Sequence, residues 1–239
     1  MANSIKILKD IHSAFEKIKK EERWAVADAL TEVGKQAVEA LEKEVQRVFD
    51  RPTKWVIKSF YSTRANERNI RIKVGIKDFA GKSKNTASVI LGPHIEGGNR
   101  SIKRMEFWLR EKGMLKTGEY VVPGIGIKLN KNGNISGPQI TKILSGVKAF
   151  SEVGYKMNVT EQSKKRKRNP AEYFVIRSGI KSHLHPGIYQ RTSSSVKPLL
   201  MFVRTPVYKK VFNFEKIITD VYNKSFPKEV RDQIAKRLT

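Results

Sequence analysis

Cysteine is absent from this chain of 239 residues. That excludes disulfide bridges, thiolate zinc sites and a cysteine nucleophile, and gives no support for secretion into an oxidising compartment. Acidic residues are scarce, with 23 Asp and Glu against 48 Lys and Arg, a formal charge of +25. Long apolar runs are missing too: nothing approaches the roughly 18 residues of a spanning helix, and the opening MANSIKILKD lacks the apolar stretch of a secretory signal. The expectation is a soluble protein made in the cytosol, with no membrane partner. At 39% hydrophobic residues the chain can bury one sizeable core or two small ones, so a folded protein is expected. Its partners should be acidic, either nucleic acid or an acidic protein surface.

Catalytic signals are thin. The four histidines are His12, His94, His183 and His185, and only the last two lie close together. They precede Pro186-Gly187 and have no third ligand beyond generic carboxylates, so no metal site is expected. The thirteen acidic residues after Asp50 are scattered singly, which marks out no pair for acid and base roles or for holding Mg²⁺. The Gly-rich stretch Gly92 to Arg100 lacks the GK[ST] ending of a phosphate-binding loop, and Gly124 and Gly126 form no dinucleotide fingerprint. Ser193 to Ser195 reads as a polar turn, and the Asn158-Val159-Thr160 acceptor carries no weight without a signal peptide. No enzyme and no cofactor is expected.

What is present is a marked partition of charge. Residues 1–50 hold 9 basic and 10 acidic side chains, whereas residues 51–239 hold 39 and 13. From Ile5 to Phe49 there is no Pro and only one Gly, Gly34. Ala29, Leu30, Val33, Ala37, Val38, Leu41, Val45 and Val48 recur at three- and four-residue spacings, which predicts one long amphipathic helix stopping at Arg51-Pro52. That helix either packs on its own domain or joins subunits. The expected division is a helical element over 1–50 and a basic body over 51–239.

Beyond Pro52 the period changes. Ile70, Ile72, Val74 and Ile76 alternate with polar residues or Gly, the signature of a half-buried strand. Further strands are predicted at Trp55–Tyr61, Ala87–Leu91, Tyr120–Leu129, Tyr173–Arg177, Gly187–Arg191 and Pro198–Arg204. Helices are predicted over Ser101–Lys112, closing at Gly113, over Gln139–Ser151, and near Phe214–Asn223 and Pro227–Leu238. The fold class is α+β: a long N-terminal amphipathic helix, a mainly antiparallel sheet with an inserted helix, and C-terminal helices. No internal repeat occurs. Gly81–Thr86 reads as a short polar connection between strands.

Asn158–Asn169 is polar and holds five consecutive cations, Lys164, Lys165, Arg166, Lys167 and Arg168. It reads as an exposed loop that serves as a phosphate-binding arm, a nuclear localisation signal or a dock for an acidic neighbour. No recognition-helix module or zinc finger is present to read DNA sequence. Trp24, Trp55 and Trp108 sit within periodic segments and read as core. Gly97-Gly98-Asn99-Arg100 can supply positive backbone angles ahead of a helix whose face carries Lys103, Arg104 and Arg110.

Three stretches carry a likeness: LGPHIEGGNRSIKRMEFWLREKGML from Leu91 to Leu115, HPGIYQRTSSSVKPLLMFVRTPVYKK from His185 to Lys210, and FNFEKIITDVYNKSFPKEVRDQIAKRL from Phe212 to Leu238. Together with the initial helix, and in that order, they resemble the minor tail protein Z, or tail-completion, family of tailed bacteriophages. GIYQR followed by LLMFVR is the most specific portion. The stretch around Lys131 to Arg168 departs from the pattern as an insertion. The resemblance implies a non-enzymatic virion protein, made in the host cytoplasm, that completes the tail or neck at the portal-to-tail junction. Portal, adaptor or tail proteins would be its neighbours, it would form a homo-oligomeric ring, and no cofactor is implied. In such a ring Arg100, Lys103, Arg104 and the cations from Lys164 to Arg168 would meet an acidic neighbour or, non-specifically, genomic DNA. Two other readings stand beside it: a basic nucleic-acid-binding protein of packaging or ribosome-associated type, and a metal-dependent nuclease.

Overall fold

The computed structural model describes residues 2–78, 86–150, 160–165 and 172–238, and the protein is α+β. In chain order the elements are α1 (Ala2–Val48), α2 (Lys54–Ile57), β1 (Phe60–Ser62), β2 (Val74–Ile76), α3 (Ala87–Ile95), β3 (Gly98–Asn99), α4 (Arg104–Glu111), β4 (Glu119–Pro123), α5 (Gly137–Gly146), α6 (Glu161–Lys165), β5 (Glu172–Ile176), β6 (Gly187–Arg191), β7 (Val196–Arg204), β8 (Val207–Tyr208) and α7 (Phe214–Leu238). Two compact units divide the chain, one of residues 1–96 with 210–239 and the other of residues 97–209. The boundary expected at Asp50 therefore lies inside the first unit, because α1 is the centre of that unit's packing.

Small residues make α1 a helix that can be approached from more than one side. Ala25, Ala27, Ala29 and Ala37 are buried, along with Val33, Leu41 and Val45. On one side the β1–β2 hairpin comes so near that a Cβ on Gly34 would lie 3.1 Å from the Ser62 Cβ. Thr31 fastens the next segment by accepting the Ala65 N–H at 3.1 Å. On another side α7 runs antiparallel to α1, pairing Glu229 with Gln36 and Arg237 with Glu21 and Asp28. Leu41, Val45, Val56, Phe60, Leu91 and Phe212 form the unit's core, each large side chain contributing about 1.5–3 kcal/mol by leaving water.

Several expected elements differ here. The apolar run Ala87–Leu91 is the start of helix α3, not a strand, since Thr86 caps it by accepting the Val89 N–H; a run that short has no decisive period. Trp55–Tyr61 divides into the helical turn α2, capped by Thr53, and the strand β1. Of the alternating stretch from Ile70, Val74–Ile76 forms the strand β2. The two C-terminal helices are one, α7, with Pro227 inside. Contacts to α1 on both sides of Pro227 hold the helix through the lost backbone bond. Residues 81–85 lie outside the described residues.

The second unit is built on an antiparallel sheet in the order β4-β7-β6-β5. Pairing of Val121 with Phe202, of Val175 with Ile188, and of Ile188 with Leu200 defines the core face. Met105 and Leu109 of α4 and Ile143 and Leu144 of α5 complete that core. The opposite face carries Val122, Phe174, Ile176, Tyr189 and Met201, with Phe174 stacked on Tyr189 at 5.6 Å. The strand expected over Tyr120–Leu129 ends at Pro123. Gly124 and Gly126 still donate to Leu199 and Pro198, and a Cβ on Gly124 would stand 2.5 Å from the Pro198 carbonyl oxygen. Pro198 sits inside β7 next to the register shift at Ile188/Tyr189, where a missing N–H is tolerated.

Helices α4 and α5 end in the same motif. After α4, the Gly113 N–H donates to Arg110 and the Met114 N–H to Leu109; after α5, Lys148 donates to Ser145 and Ala149 to Leu144. Gly113 takes the left-handed position at φ 60°, but in α5 it falls to Lys148 at φ 57°, where a Cβ is strained. Helix α5 also stops at Gly146, short of the expected Ser151, because its closing turn begins there. Lys148→Gly should raise unfolding free energy by about 1 kcal/mol, read as a higher urea midpoint at unchanged slope. Gly113→Ala should lower it by a similar amount.

Candidate interaction surface

The cations picked out around α4 have separate fates. Gly97 and Gly98 adopt φ 83° and 91°, turning the chain into β3, which pairs with β8. The turn delivers Arg100 inward. Its guanidinium donates to both oxygens of Glu106, at 2.9 and 2.5 Å, and lies 4.6 Å from the centre of the Tyr120 ring. With a side-chain exposure of only 13%, Arg100 is committed within its own unit. Lys103 and Arg104 are exposed and stand beside the exposed apolar side chains of Ile102 and Phe107.

Glu106 is fully buried and is the group that sequence reasoning missed. Besides Arg100 it accepts the Lys103 N–H at 2.6 Å and the Val121 N–H at 2.8 Å. Its carboxylate thus caps α4, holds the arginine and satisfies an edge donor of β4. Arg110 adds a bond to the Glu119 carbonyl on the same strand. The signal was local: an acid three positions after the residue before a helix is half of a capping box. Burial pushes the Glu106 pKa upward, but the hydrogen bonds from Arg100 and from the two backbone N–H groups outweigh it and hold the carboxyl below its ordinary value.

The basic stretch is described in part. Lys164 and Lys165 belong to the short helix α6, where a loop was expected, with Glu161 in its first turn complementing the helix dipole. Lys165 is exposed, and Arg166, Lys167 and Arg168 lie outside the described residues. His183 and His185 are exposed, and among the described residues no three His, Asp or Glu side chains come together as a metal site. A groove of about 400 Å³ in the first unit is lined by Trp24, Asp28, Glu32, Lys35 and Arg64 among others. Its charges are mixed, and Arg237 already occupies Asp28 and the Trp24 face. No helix among the described residues is long and apolar enough to cross a membrane.

Charge divides unevenly between the units. The first holds 26 Lys and Arg against 17 Asp and Glu, and the second 22 against 6. Per residue, the second unit is the more basic of the two, and one of its six acids is the buried Glu106.

Glu106→Gln should destabilise the second unit by about 3 kcal/mol, because it strands a largely buried guanidinium; urea unfolding followed by Trp108 fluorescence in a Trp24→Phe, Trp55→Phe background would measure this. The carboxyl's depressed pKa also fixes a sign with pH. Its stabilisation is present at neutral pH and declines as pH falls below about 4.3, the unfolded-chain value, through the lower folded value. In Glu106→Gln that part of the acid sensitivity should vanish.

No protein-family model, curated protein or solved structure matches this chain.

Proposed function

We propose that this chain is a non-enzymatic structural protein of a tailed-bacteriophage virion, placed at the portal-to-tail junction and assembled there as a homo-oligomeric ring. The observation that carries the reading is the N-terminal third of α1. Among the described side chains, Arg237 near the end of α7 binds α1 at Glu21 and Asp28, and residues 2–20 extend the helix for about 28 Å on the N-terminal side of Glu21. Residues 16–20 are all exposed, including Ile18 at 44%. In the sequence of this segment Leu8, Ile11, Phe15 and Ile18 are spaced three, four and three apart, the apolar spacing found where one helix packs on another. A ring needs such a contact repeated head to tail. The three stretches resembling tail-completion proteins support the same reading, as does the half-buried apolar face of the second unit's four-stranded sheet.

A nucleic-acid-binding module is the second reading, favoured by the 22 to 6 ratio of basic to acidic residues in the second unit. The two differ in stoichiometry: a virion component is present in purified particles at a fixed copy number.

Deletion at Asp50 would remove the core of the first unit, so the informative truncation is residues 2–20. In particles from the encoding phage, the truncated chain should be missing by mass spectrometry, while its circular dichroism and melting temperature stay close to those of the full chain. Normal incorporation of the truncated chain would contradict the proposal.

A further inference from the structure

Four cations far apart in sequence meet at one end of the second unit's sheet. Glu119 and Gly187 begin β4 and β6 there, while Ile176 and Arg204 end β5 and β7. The register sets them in two steps: Glu119 faces Arg204, and Gly187 faces both Ile176 and Met201, three residues before Arg204 on β7. Arg177 follows β5 directly, Lys181 stands in the connection to β6, Lys116 precedes β4, and Arg204 closes β7. Four strands about 4.8 Å apart spread these ends over roughly 14 Å.

The cluster is held by backbone rather than by ion pairs. Arg177 and Ile180 close a turn through a 3.3 Å hydrogen bond, with Gly179 at φ 92°. Lys116 Nζ lies 3.1 Å from where a Cβ on Gly179 would stand, which joins the β4 entrance to that turn. Glu119 accepts the Lys116 backbone N–H. All four cations are exposed, and none is ion-paired with an acidic side chain among the described residues.

We propose that this sheet end binds the phosphate backbone of double-stranded DNA. A protein partner would call for an apolar interface core, from which lysine is depleted, and Ile180 is the exposed large apolar side chain on this connection. Duplex DNA instead offers one negative charge per about 1.7 Å of axis, which suits a group of exposed cations gathered at one sheet end. His183 and His185, exposed on the same connection, add hydrogen-bonding groups. Backbone contacts of this kind carry no base readout, so binding is independent of sequence. The inference does not depend on the virion reading: a DNA-binding sheet end serves a neck protein and a packaging factor alike.

The test is fluorescence anisotropy of a labelled short duplex titrated with the full chain between about 50 and 200 mM salt. Replacing Lys116, Arg177, Lys181 and Arg204 together by Ser should flatten the slope of log K against log salt by about 3.6, at about 0.9 per phosphate contact, with an unchanged melting temperature. A control of equal charge, replacing the exposed Lys128, Lys131, Lys142 and Lys148 by Ser, should change the slope by less than a third of that. Should the fourfold variant fold poorly, Lys181→Ser alone, in an exposed connection, should flatten the slope by about 0.9. The proposal is overturned by no duplex binding at the lowest salt, by equal losses in the two fourfold variants, or by poly-glutamate displacing the duplex at equal charge concentration through the same four residues.

Discussion

A single buried carboxylate joins three parts of the second unit. Glu106 accepts hydrogen bonds from the Arg100 guanidinium, the Lys103 N–H at the start of α4 and the Val121 N–H on the outer edge of β4. Without it, the helix entrance and a sheet edge would each hold an unsatisfied donor, and a guanidinium would be largely buried without its counterion. The Gly97-Gly98 turn is what brings Arg100 to this point, which ties the GGNR sequence to the packing of a strand twenty residues later. Edge strands invite unwanted pairing; here Glu106 and Arg110 occupy backbone groups of β4 that would otherwise accept another strand.

That arrangement also sorts the charge. Arg100 and Arg110 are drawn against Tyr120, so neither projects freely toward a polyanion. Lys103, Arg104, Lys165 and the cations at the sheet end remain exposed, on a unit with few acids to neutralise them. The first unit is constructed differently, around alanine-lined helix packing and cross-helix pairs such as Arg237 with Asp28. One unit thus presents charge, while the other is organised around the long helix α1.

Legibility in the sequence followed the range of the interactions. The long helix was readable because its period persists over many turns, and β6 matches the predicted Gly187–Arg191 in both bounds because Pro186-Gly187 marks its start. Gly113 closed its helix as expected because the Schellman pattern is local. Ala87–Leu91 was misread because five apolar residues carry no period and Thr86 decides the matter by capping. Pro227 was misread because its cost is offset by packing against α1, a contact between residues nearly two hundred positions apart. Arg100 was legible as a cation after a tight turn, but not as the partner of a buried acid. Lys116, Arg177, Lys181 and Arg204 were invisible as a group, since only strand register brings them to one end.

On the proposal that a tailed phage encodes this chain, electron cryomicroscopy of its purified particles bears most directly on the central claim. The account predicts a closed ring of this chain between the portal and the tail, with residues 2–20 of each copy lying on the next. Particles whose portal-to-tail junction is fully accounted for by other chains, with this one absent, would contradict it.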